Sequence, residues 1–322
     1  MIGERIGLLF PGQGSQAVGM GKDLAEAFPE ARQAWEAADD ALGFSLSRLC
    51  WEGPEDELTL TRNAQPALLA HSAAVWAVLR AADLEVVCGA GHSLGEFSAY
   101  HAAGSLELAD ALRTVRRRGE LMFESGQQRP GAMSAVLGLD DDIVEGVCGQ
   151  ASHEGSVVVP ANFNTPGQVV ISGDADAVAR CGSMLMDAGA KKVQPLNVSG
   201  AFHSPLMAVA EAGLREQLEG VAFADPAFPI VSNVTAQPVT DAGTARGLLV
   251  QQLTSAVRWS YVVRTMLELG VTRFLEVGTG KVLTGMLKRI DPTAAGMGAA
   301  LGTADQVRAF MDSASGAAGG AR

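Results

Sequence analysis

The sequence predicts an α/β fold made of a large domain and a smaller, ferredoxin-like domain inserted into it. Two observations carry this prediction. Short apolar strands alternate with helices towards the amino terminus, as in a layered α/β domain. In the middle of the chain, six elements follow one another as β-α-β-β-α-β, which is the ferredoxin-like order. We therefore predict a discontinuous large domain, 1–127 and 200–322, around an inserted domain at 128–199.

Within the large domain, helices are predicted where apolar residues recur every three or four positions, and strands where a short apolar run is continuous. Pro66 suits the first turn of one helix, and Pro29 interrupts another. Ser105 is expected to cap a third helix. The predicted strands are 6–10, 84–88, 229–231 and 273–277, and the predicted helices are 20–42, 67–79, 96–103, 105–123, 245–253 and 261–269.

The inserted domain is entered at the pair Pro130-Gly131, which is typical of a turn. In its second helix, Val178 and Met184 are expected to face inward. The predicted strands are 132–137, 157–161, 168–171 and 192–198, and the predicted helices are 140–151 and 174–188.

Composition and charge exclude several classes of protein. The net charge of −12 argues against nucleic acid as a partner, and there is no run of about 18 apolar residues to span a membrane. The first residues of the chain lack a cleavable signal pattern, which predicts a cytoplasmic protein. Because the cysteines are scattered and form no C-x-x-C pair, they predict buried thiols rather than a zinc or redox site; they are Cys50, Cys88, Cys148 and Cys181.

The strongest functional signal is the pentapeptide Gly91-His92-Ser93-Leu94-Gly95, which lies between a predicted strand and a predicted helix. A serine between two glycines on such a turn is the Gly-x-Ser-x-Gly nucleophile elbow. The turn exposes the serine hydroxyl at the head of a helix, where free N–H groups favour developing negative charge. The pattern therefore predicts an enzyme that carries an acyl group on Ser93.

A nucleophilic serine needs a general base, and His203 is favoured among the histidines by elimination. His92 adjoins Ser93, but neighbouring side chains on a sharp turn point apart. His203 lies where the chain is expected to re-enter the large domain. No carboxylate is obvious just upstream of it in that domain, so a Ser–His dyad oriented by a neutral group is a fair alternative to a triad. The other histidines are expected to be packed or solvated: His71, His101 and His153.

Three consecutive arginines, Arg116, Arg117 and Arg118, follow the elbow on the next predicted helix. At about 100° per residue they cannot share a face. Arg117 lies away from the apolar stripe and is expected to be solvated. Arg116 and Arg118 flank the stripe on opposite sides, so either can reach inward, where a guanidinium suits a carboxylate ligand. Periodicity alone does not choose between them.

The loop at 12–17 matches G-x-G-x-x-A, a form of the dinucleotide-binding fingerprint. That interpretation requires an acidic residue at the end of a second strand about 20 positions further on, and the residues there are predicted to be helical. A backbone N–H of this loop can instead join the N–H of Leu94 in an oxyanion hole.

Several motifs in combination give the chain a family resemblance. It resembles the malonyl-CoA:acyl carrier protein transacylases of the fatty acid synthase type, and it is similar to the acyltransferase domains of polyketide synthases. The resemblance covers about 1–305. Its motifs are Phe10-Pro11-Gly12-Gln13-Gly14-Ser15-Gln16, Gln65-Pro66-Ala67, Gly91-His92-Ser93-Leu94-Gly95-Glu96, Arg118-Gly119, Gly131-Ala132-Met133, Asn162-x-Asn164-x-Pro166-Gly167-Gln168, Phe202-His203-Ser204 and Glu276-Val277-Gly278-x-Gly280-Lys281-Val282-Leu283.

The resemblance implies an α/β-hydrolase-like large domain and an acyl transfer by double displacement. It implies that Ser93 is the nucleophile and that His203 is the general base and acid. Gln252 lies where the family orients its histidine through a main-chain carbonyl. The oxyanion hole is assigned to the backbone N–H groups of Gln13 and Leu94.

The resemblance also implies which residues bind the substrate. Arg118, the arginine directly before Gly119, is expected to grip the free malonyl carboxylate, and Asn162 is expected near the site. Phe202 resembles the residue of malonyl-using polyketide enzymes, where it fills the space that an α-methyl group requires. The implied partners are malonyl-CoA and an acyl carrier protein. Coenzyme A is then a substrate, no cofactor or metal is implied, and the family is usually monomeric.

Three alternatives remain open on the sequence alone. The chain can act in trans on a polyketide pathway, or it can be a serine esterase or thioesterase, a function that gives Arg118 no role. It can also be a non-catalytic module that docks a carrier protein, against which the intact Ser93, His203 and Arg118 speak.

Overall fold

The strands in the described part of the chain form two separate sheets. The computed structural model describes residues 3–319. Its strands, in chain order, are β1 (Ile6–Phe10), β2 (Val86–Gly91), β3 (Gly131–Leu137), β4 (Val158–Thr165), β5 (Gln168–Asp174), β6 (Lys192–Pro195), β7 (Ile230–Val231), β8 (Pro238–Val239), β9 (Arg273–Val277) and β10 (Gly298–Leu301).

The helices pack around and between the two sheets. In chain order they are α1 (Lys22–Ala27), α2 (Pro29–Leu42), α3 (Leu46–Glu52), α4 (Glu55–Thr59), α5 (Thr61–Leu79), α6 (Gly95–Ala102), α7 (Leu108–Gln128), α8 (Asp141–Ala151), α9 (Ala175–Asp187), α10 (Ala208–Glu219), α11 (Ala242–Gln251), α12 (Trp259–Glu268), α13 (Val282–Ile290) and α14 (Ala304–Gly319), with 3₁₀ turns at Pro205–Met207 and Pro292–Ala294.

The larger sheet has the strand order β10-β9-β1-β2-β7-β8 and is parallel except for its β7–β8 edge. Every residue of β1 is buried, which follows from its central place in a parallel sheet covered on both faces. The predicted strand at 6–10 is therefore confirmed, and so is the strand at 273–277, which is β9. Parallel strands end at the same edge of a sheet, and the ends of β1 and β2 carry the predicted site.

The smaller sheet has the strand order β4-β5-β3-β6 and is antiparallel at every pairing. With β3 counted as its first strand, this is the ferredoxin-like arrangement predicted from the order of elements. Helices α8 and α9 pack on this sheet through an apolar cluster that includes Val144, Cys148, Cys181 and Leu185. The four strands and two helices all lie between residues 131 and 195.

A short strand-like contact joins β4 to the larger part of the molecule. The N–H of Phe163 donates to the carbonyl of Val257 at 2.9 Å, and the N–H of Val257 donates to the carbonyl of Ala161 at 2.8 Å. Val257 precedes α12 and is fully buried. The contact places the end of the smaller sheet beside the segment that links α11 to α12.

Helix α5 begins at Thr61, six residues before its predicted start, so the placement of Pro66 in a first turn was wrong. Proline has no N–H to offer the carbonyl four residues earlier, which here belongs to Arg62. Arg116 on α7 donates to that carbonyl from Nη1 at 3.1 Å. Arg116 thus supplies the donor that the internal Pro66 lacks. Sequence patterns alone place such a proline at a helix start.

Helix α7 begins at Leu108, so Ser105 is not its cap. The main chain of Ser105 is instead held by tertiary contacts, because its carbonyl accepts from the N–H of Ala224 at 3.0 Å. The helix also runs to Gln128, beyond its predicted end.

The cysteine side chains are all buried, as predicted. Burial raises the pKa of the Cys88 thiol to about 12. In the smaller domain, the Sγ atoms of Cys148 and Cys181 lie 3.7 Å apart between α8 and α9. Among the described residues, no helix combines the length and apolarity needed to cross a bilayer.

Candidate active site

Ser93 lies on a sharp turn between the end of β2 and the start of α6. Its φ of 51° is in the left-handed region, which non-glycine residues rarely adopt. The turn is crowded, since a Cβ on Gly91 would lie 1.9 Å from the carbonyl carbon of Gly95. A Cβ on Gly95 would in turn lie 2.2 Å from the carbonyl oxygen of Phe10. The two glycines are therefore required by close packing, and the partly exposed Ser93 has the geometry of a nucleophile elbow.

The side chain of His203 is placed to exchange a proton with Ser93. The Oγ of Ser93 and the Nε2 of His203 are 2.8 Å apart, and the other ring nitrogen, Nδ1, lies 2.9 Å from the carbonyl oxygen of Gln252. That carbonyl fixes Nδ1 as the donor, which leaves Nε2 as the acceptor for the hydroxyl proton. Here a neutral main-chain group occupies the place that a carboxylate has in a Ser-His-Asp triad.

Burial keeps the imidazole of His203 neutral. It lowers the pKa of His203 to about 3, and the nearby positive charge of Arg118 contributes in the same direction. A neutral imidazole is the form that can accept the proton of Ser93.

Arg118 points inward and reaches the nucleophile. Its side chain is only 1% exposed. Nη2 donates to the Oγ of Ser93 at 3.1 Å and to the Oε1 of Gln252 at 2.9 Å, and Nη1 donates to the Oε1 of Gln65 at 2.8 Å. Its Nε–H has no acceptor among the described residues. All of these hydrogen-bond partners are neutral, and the opposing charge of Glu96 acts on the guanidinium without touching it. Arg118 therefore keeps spare donors for a ligand.

The other two arginines of the run point elsewhere. Arg116 pairs with Glu120 at 2.8 Å, and Arg117 forms longer, exposed ion pairs with Glu120 and Glu124. Arg117 is therefore solvated, as predicted, and Arg118 is the arginine that enters the site.

Gln252 connects the groups around Ser93. Its Oε1 accepts from Arg118, while its Nε2 donates to the main-chain carbonyl of Ser93 at 3.0 Å and to Oε2 of Glu96 at 2.6 Å. Glu96 is fully buried, and burial raises its pKa to about 7 against the opposing effect of these hydrogen bonds. The side-chain amide of Gln252 thus lies between the carboxyl of Glu96 and the guanidinium of Arg118 and bonds to both.

Two backbone N–H groups near Ser93 are free to stabilise an oxyanion. Leu94 is the first residue of the turn into α6, and Gln13 lies on the loop after β1. Neither N–H has an acceptor among the described residues. The loop continues to Gly21 before α1 begins, so the glycines at 12 and 14 do not open a helix as a dinucleotide site requires.

The remaining predicted residues lie around this centre. Phe202 is buried beside His203, next to Gly200. Asn162 is a buried residue of β4, at the point where that strand meets Val257. His92 turns away from Ser93, and its Nε2 lies 2.9 Å from the Oδ1 of Asn164.

The site also contains residues that the sequence predictions missed. Gln65 and Glu96 stand in motifs of the family resemblance, so the sequence offered a signal for them without a role. Asn233 stands in none of those motifs, and its contacts with Gly91 and Ser93 are distant in sequence. Among the described residues, no group of His, Cys, Asp and Glu side chains is arranged to hold a metal ion.

A serine at an elbow, a neutral imidazole and free N–H groups together define an enzyme that works through an acylated serine. A family model described as "Acyl transferase domain" matches residues 8–309. The chain belongs to this acyl transferase family.

Named relatives and solved structures agree with this assignment. The chain is 45% identical to the malonyl CoA-acyl carrier protein transacylase of Bacillus subtilis (strain 168) over 288 residues, which is 89% of this chain and 91% of the relative. It is 44% identical to the transacylase of the same name from Escherichia coli (strain K12) over 286 residues, covering 88% and 92%.

Among solved structures, the acyl carrier protein S-malonyltransferase of Vibrio cholerae superposes with a TM-score of 0.91 at 42% identity, covering 95% of this chain and 99% of that one. A malonyl-transacylase solved in complex with a type II PKS acyl-carrier protein gives a TM-score of 0.90 at 42% identity, covering 96% and 99%. The predicted fold class, an α/β-hydrolase-like domain with a ferredoxin-like domain, is thereby confirmed.

Proposed function

We propose that this chain transfers a malonyl group from malonyl-CoA to the phosphopantetheine thiol of an acyl carrier protein, through a malonyl ester on Ser93. One observation carries the choice of acyl group. The guanidinium of Arg118 is buried 3.1 Å from the nucleophilic oxygen, and its hydrogen-bond partners are neutral. A buried cation beside the reacting atom favours an acyl group that ends in a carboxylate. The names of the relatives support the same substrate.

In the first half-reaction, Ser93 attacks the thioester carbonyl of malonyl-CoA. His203 takes the hydroxyl proton at Nε2 as the Oγ–carbon bond forms. The N–H groups of Leu94 and Gln13 receive the negative charge that develops on the carbonyl oxygen. The carbon–sulfur bond then breaks, and His203 returns the proton to the sulfur of coenzyme A.

The second half-reaction runs the same steps towards the carrier protein. His203 takes the proton of the phosphopantetheine thiol, and the sulfur attacks the ester carbonyl of malonyl-Ser93. Collapse of the intermediate breaks the bond to Ser93, whose Oγ recovers the proton from His203. One neutral imidazole therefore serves both directions, which its lowered pKa permits.

Selectivity is divided between Arg118 and Phe202. Arg118 binds the distal carboxylate of the malonyl group and so disfavours acetyl groups. Phe202 restricts the space for an α-methyl group, although one methyl changes the transition-state energy by only about 1–3 kcal/mol. We therefore expect malonyl-CoA to be preferred strongly over acetyl-CoA and modestly over methylmalonyl-CoA.

We propose that the chain acts in the cytoplasm as a monomer, needs no cofactor and supplies malonyl units for fatty acid synthesis. The similarity to a malonyl-transacylase that was solved with a type II PKS carrier protein favours service to a polyketide pathway as the second candidate. A comparison of kcat/KM for fatty acid and polyketide carrier proteins separates the two.

The test of the proposed function is a covalent adduct. Incubation with malonyl-CoA alone is expected to raise the mass of the intact protein by one malonyl group, located on Ser93 by peptide mapping. The Ser93→Ala variant should show no adduct. A wild-type protein that remains unmodified would refute acyl transfer through this serine.

The matched pair Arg118→Ala and Arg117→Ala tests whether Arg118 binds the malonyl carboxylate. Loss of a charge-assisted hydrogen bond costs about 1.5–3 kcal/mol, so Arg118→Ala should lower kcat/KM for malonyl-CoA by about tenfold to a hundredfold. Arg117→Ala removes an exposed cation of the same helix and should leave kcat/KM unchanged. Equal malonyl-to-acetyl selectivity in wild type and Arg118→Ala would favour a general esterase instead.

A further inference from the structure

The main chain at Ser93 is held in an unfavourable conformation by contacts from outside the turn. Its left-handed φ of 51° is costly for a residue with a side chain. Such a conformation persists only where the surrounding structure determines it more strongly than local preference does. The hydrogen bonds of the two peptide groups that flank Ser93 show which residues impose this conformation.

The peptide group before Ser93 is held by Asn233. The N–H of Ser93 donates to the Oδ1 of Asn233 at 2.7 Å, and the Nδ2 of Asn233 donates to the carbonyl of Gly91 at 2.7 Å. Asn233 is fully buried, after the short strand β7. Its side-chain amide therefore pairs with both a donor and an acceptor of the elbow, as a neighbouring strand would.

The peptide group after Ser93 is held by Gln252 and by the main chain of Glu96. The carbonyl of Ser93 accepts from the Nε2 of Gln252 at 3.0 Å and from the N–H of Glu96 at 3.1 Å. Because a trans peptide is planar, fixing this carbonyl also fixes the opposite direction of the N–H of Leu94. That N–H is one of the two proposed oxyanion donors, so its aim depends on how the carbonyl of Ser93 is held.

The carboxyl of Glu96 bonds to both Asn233 and Gln252, the two residues whose side chains fix the main chain of Ser93. Its Oε2 accepts from the Nε2 of Gln252 at 2.6 Å and from the main-chain N–H of Asn233 at 3.3 Å. Glu96 belongs to the first turn of α6, the helix that the elbow opens, and is fully buried. One buried side chain thus anchors both residues that grip the main chain of Ser93.

We propose that Asn233 and Glu96 are positioning residues for acyl transfer: Asn233 holds the elbow at Ser93, and Glu96 holds Asn233 and Gln252 in register with it. This inference rests on the proposed function. Neither residue touches the substrate in this mechanism. They act by keeping the Oγ of Ser93 directed at His203 and the N–H of Leu94 directed at the oxyanion.

The test compares substitutions at Asn233 by the rate of malonyl-Ser93 formation at saturating malonyl-CoA. Asn233→Ala removes both side-chain bonds, and a misplacement of about 1 Å costs roughly a hundredfold, so we expect a fall of about a hundredfold in this rate. KM should change by less than about threefold, because the lost contacts matter in the transition state. Asn233→Asp keeps the acceptor for the Ser93 N–H and should be intermediate.

Glu96 is tested by a conservative pair. Glu96→Gln keeps an acceptor for Asn233 and Gln252, whereas Glu96→Ala keeps none. We expect Glu96→Gln to acylate at least about tenfold faster than Glu96→Ala, since one hydrogen bond to a buried group has about that value. Equal rates for the two variants would overturn the role of Glu96.

A destabilised control separates positioning from general loss of stability. Leu185→Ala removes buried side-chain volume from α9, in the smaller domain, and should lower the melting temperature without slowing acylation. An Asn233→Ala variant that acylates at the wild-type rate would overturn the proposal, as would a Leu185→Ala variant slowed to the same extent. If Asn233→Ala does not fold, Asn233→Asp decides by the same criterion.

A fluorophosphonate probe distinguishes this inference from the proposed function. The probe phosphonylates a poised serine, with fluoride as the leaving group, and needs no malonyl group, so it reports on Ser93 even if malonyl-CoA is not the substrate. Wild type should react quickly and Asn233→Ala about a hundredfold more slowly. Wild type that reacts with the probe but not with malonyl-CoA contradicts the malonyl assignment alone, whereas equal labelling of wild type and Asn233→Ala contradicts the positioning role.

Discussion

At the scale of single residues, the site depends on electrostatic surroundings more than on special side chains. His203 is oriented by the main-chain carbonyl of Gln252, a dipole without a net charge. An aspartate in that place would raise the pKa of the histidine, but burial and Arg118 both lower it here. The same Arg118 that suits a carboxylate ligand therefore also helps to keep the base unprotonated.

This arrangement predicts the pH dependence of acylation. The pKa of His203 is lowered from its ordinary value of 6.5 to about 3, so the neutral form persists as the pH falls through 6 and 5. We expect no protonation of His203 in that range, and hence no loss of the malonyl-Ser93 formation rate with a midpoint near 6.5. Rapid-quench measurements between pH 5 and 8 test this expectation.

The control for the pH profile is Glu96→Gln, because burial raises the pKa of Glu96 to about 7. A loss of rate near pH 7 that disappears in Glu96→Gln belongs to that carboxyl. A loss near pH 6.5 that persists in Glu96→Gln would show that His203 titrates normally and would contradict the prediction.

At the scale of secondary-structure elements, the contact between α5 and α7 positions Arg118, which we propose binds the malonyl carboxylate. Gln65 on α5 and Arg118 on α7 meet across their contact. Gly119 permits this approach, since a Cβ there would lie 2.7 Å from the Cα of Arg62. The sequence Arg118-Gly119 therefore combines an inward cation with the small residue that lets its helix approach α5.

The contact between these helices predicts a stability effect for Arg116. Arg116→Ala would leave the carbonyl of Arg62, opposite Pro66, without its donor. An unpaired, partly buried carbonyl costs about 1–3 kcal/mol, so the free energy of unfolding should fall by that amount in urea titrations. Arg117→Ala loses only exposed ion pairs and should change it by less than about 0.5 kcal/mol. Equal effects of the two substitutions would contradict this account.

The sequence was informative where local patterns determine structure. The continuous apolar runs gave the buried strands β1 and β9, and the elbow motif gave the turn at Ser93. The starts of α5 and α7 were mispredicted because the carbonyls of Arg62 and Ser105 have partners that are distant in sequence. Patterns of three or four residues cannot show the donor from α7 or the acceptor for Ala224.

The residues of the site were likewise predicted most directly where a local pattern identified them. Ser93 follows from its motif, and His203 from elimination, whereas the choice of Arg118 over Arg116 needed the family resemblance. The role of Asn233 was invisible, since its partners Gly91 and Ser93 lie about 140 residues earlier in the chain. A buried amide that pairs with main chain becomes recognisable only when the two segments are placed together.

At the scale of the whole molecule, the two sheets meet beside the site, and Met133, Ala161 and Val170 of the smaller sheet pack into the core of the larger domain. The larger sheet supplies the elbow, and the smaller one reaches it through β4. Their main-chain connection is the pair of bonds between Val257 and the residues Ala161 and Phe163. If the domains separate, both bonds break in one event.

That connection predicts a shared pattern of hydrogen exchange. The amides of Phe163 and Val257 should show equal protection, because both are released by the same opening. The amide of Val170, inside the smaller sheet, should be better protected, since its strand pairs on both sides. Exchange followed by NMR tests this, and a Val257 amide that exchanges much faster than that of Phe163 would contradict it.

The buried thiols have a consequence for how turnover can be followed. In the proposed reaction, each acylation of Ser93 liberates one reactive sulfhydryl on coenzyme A, while the four cysteine thiols of the folded protein are shielded from solvent. A chromogenic disulfide added to the mixture would therefore report the leaving group with little background from the catalyst itself. Single turnovers at high protein concentration become visible as a colour burst, without labelled substrate.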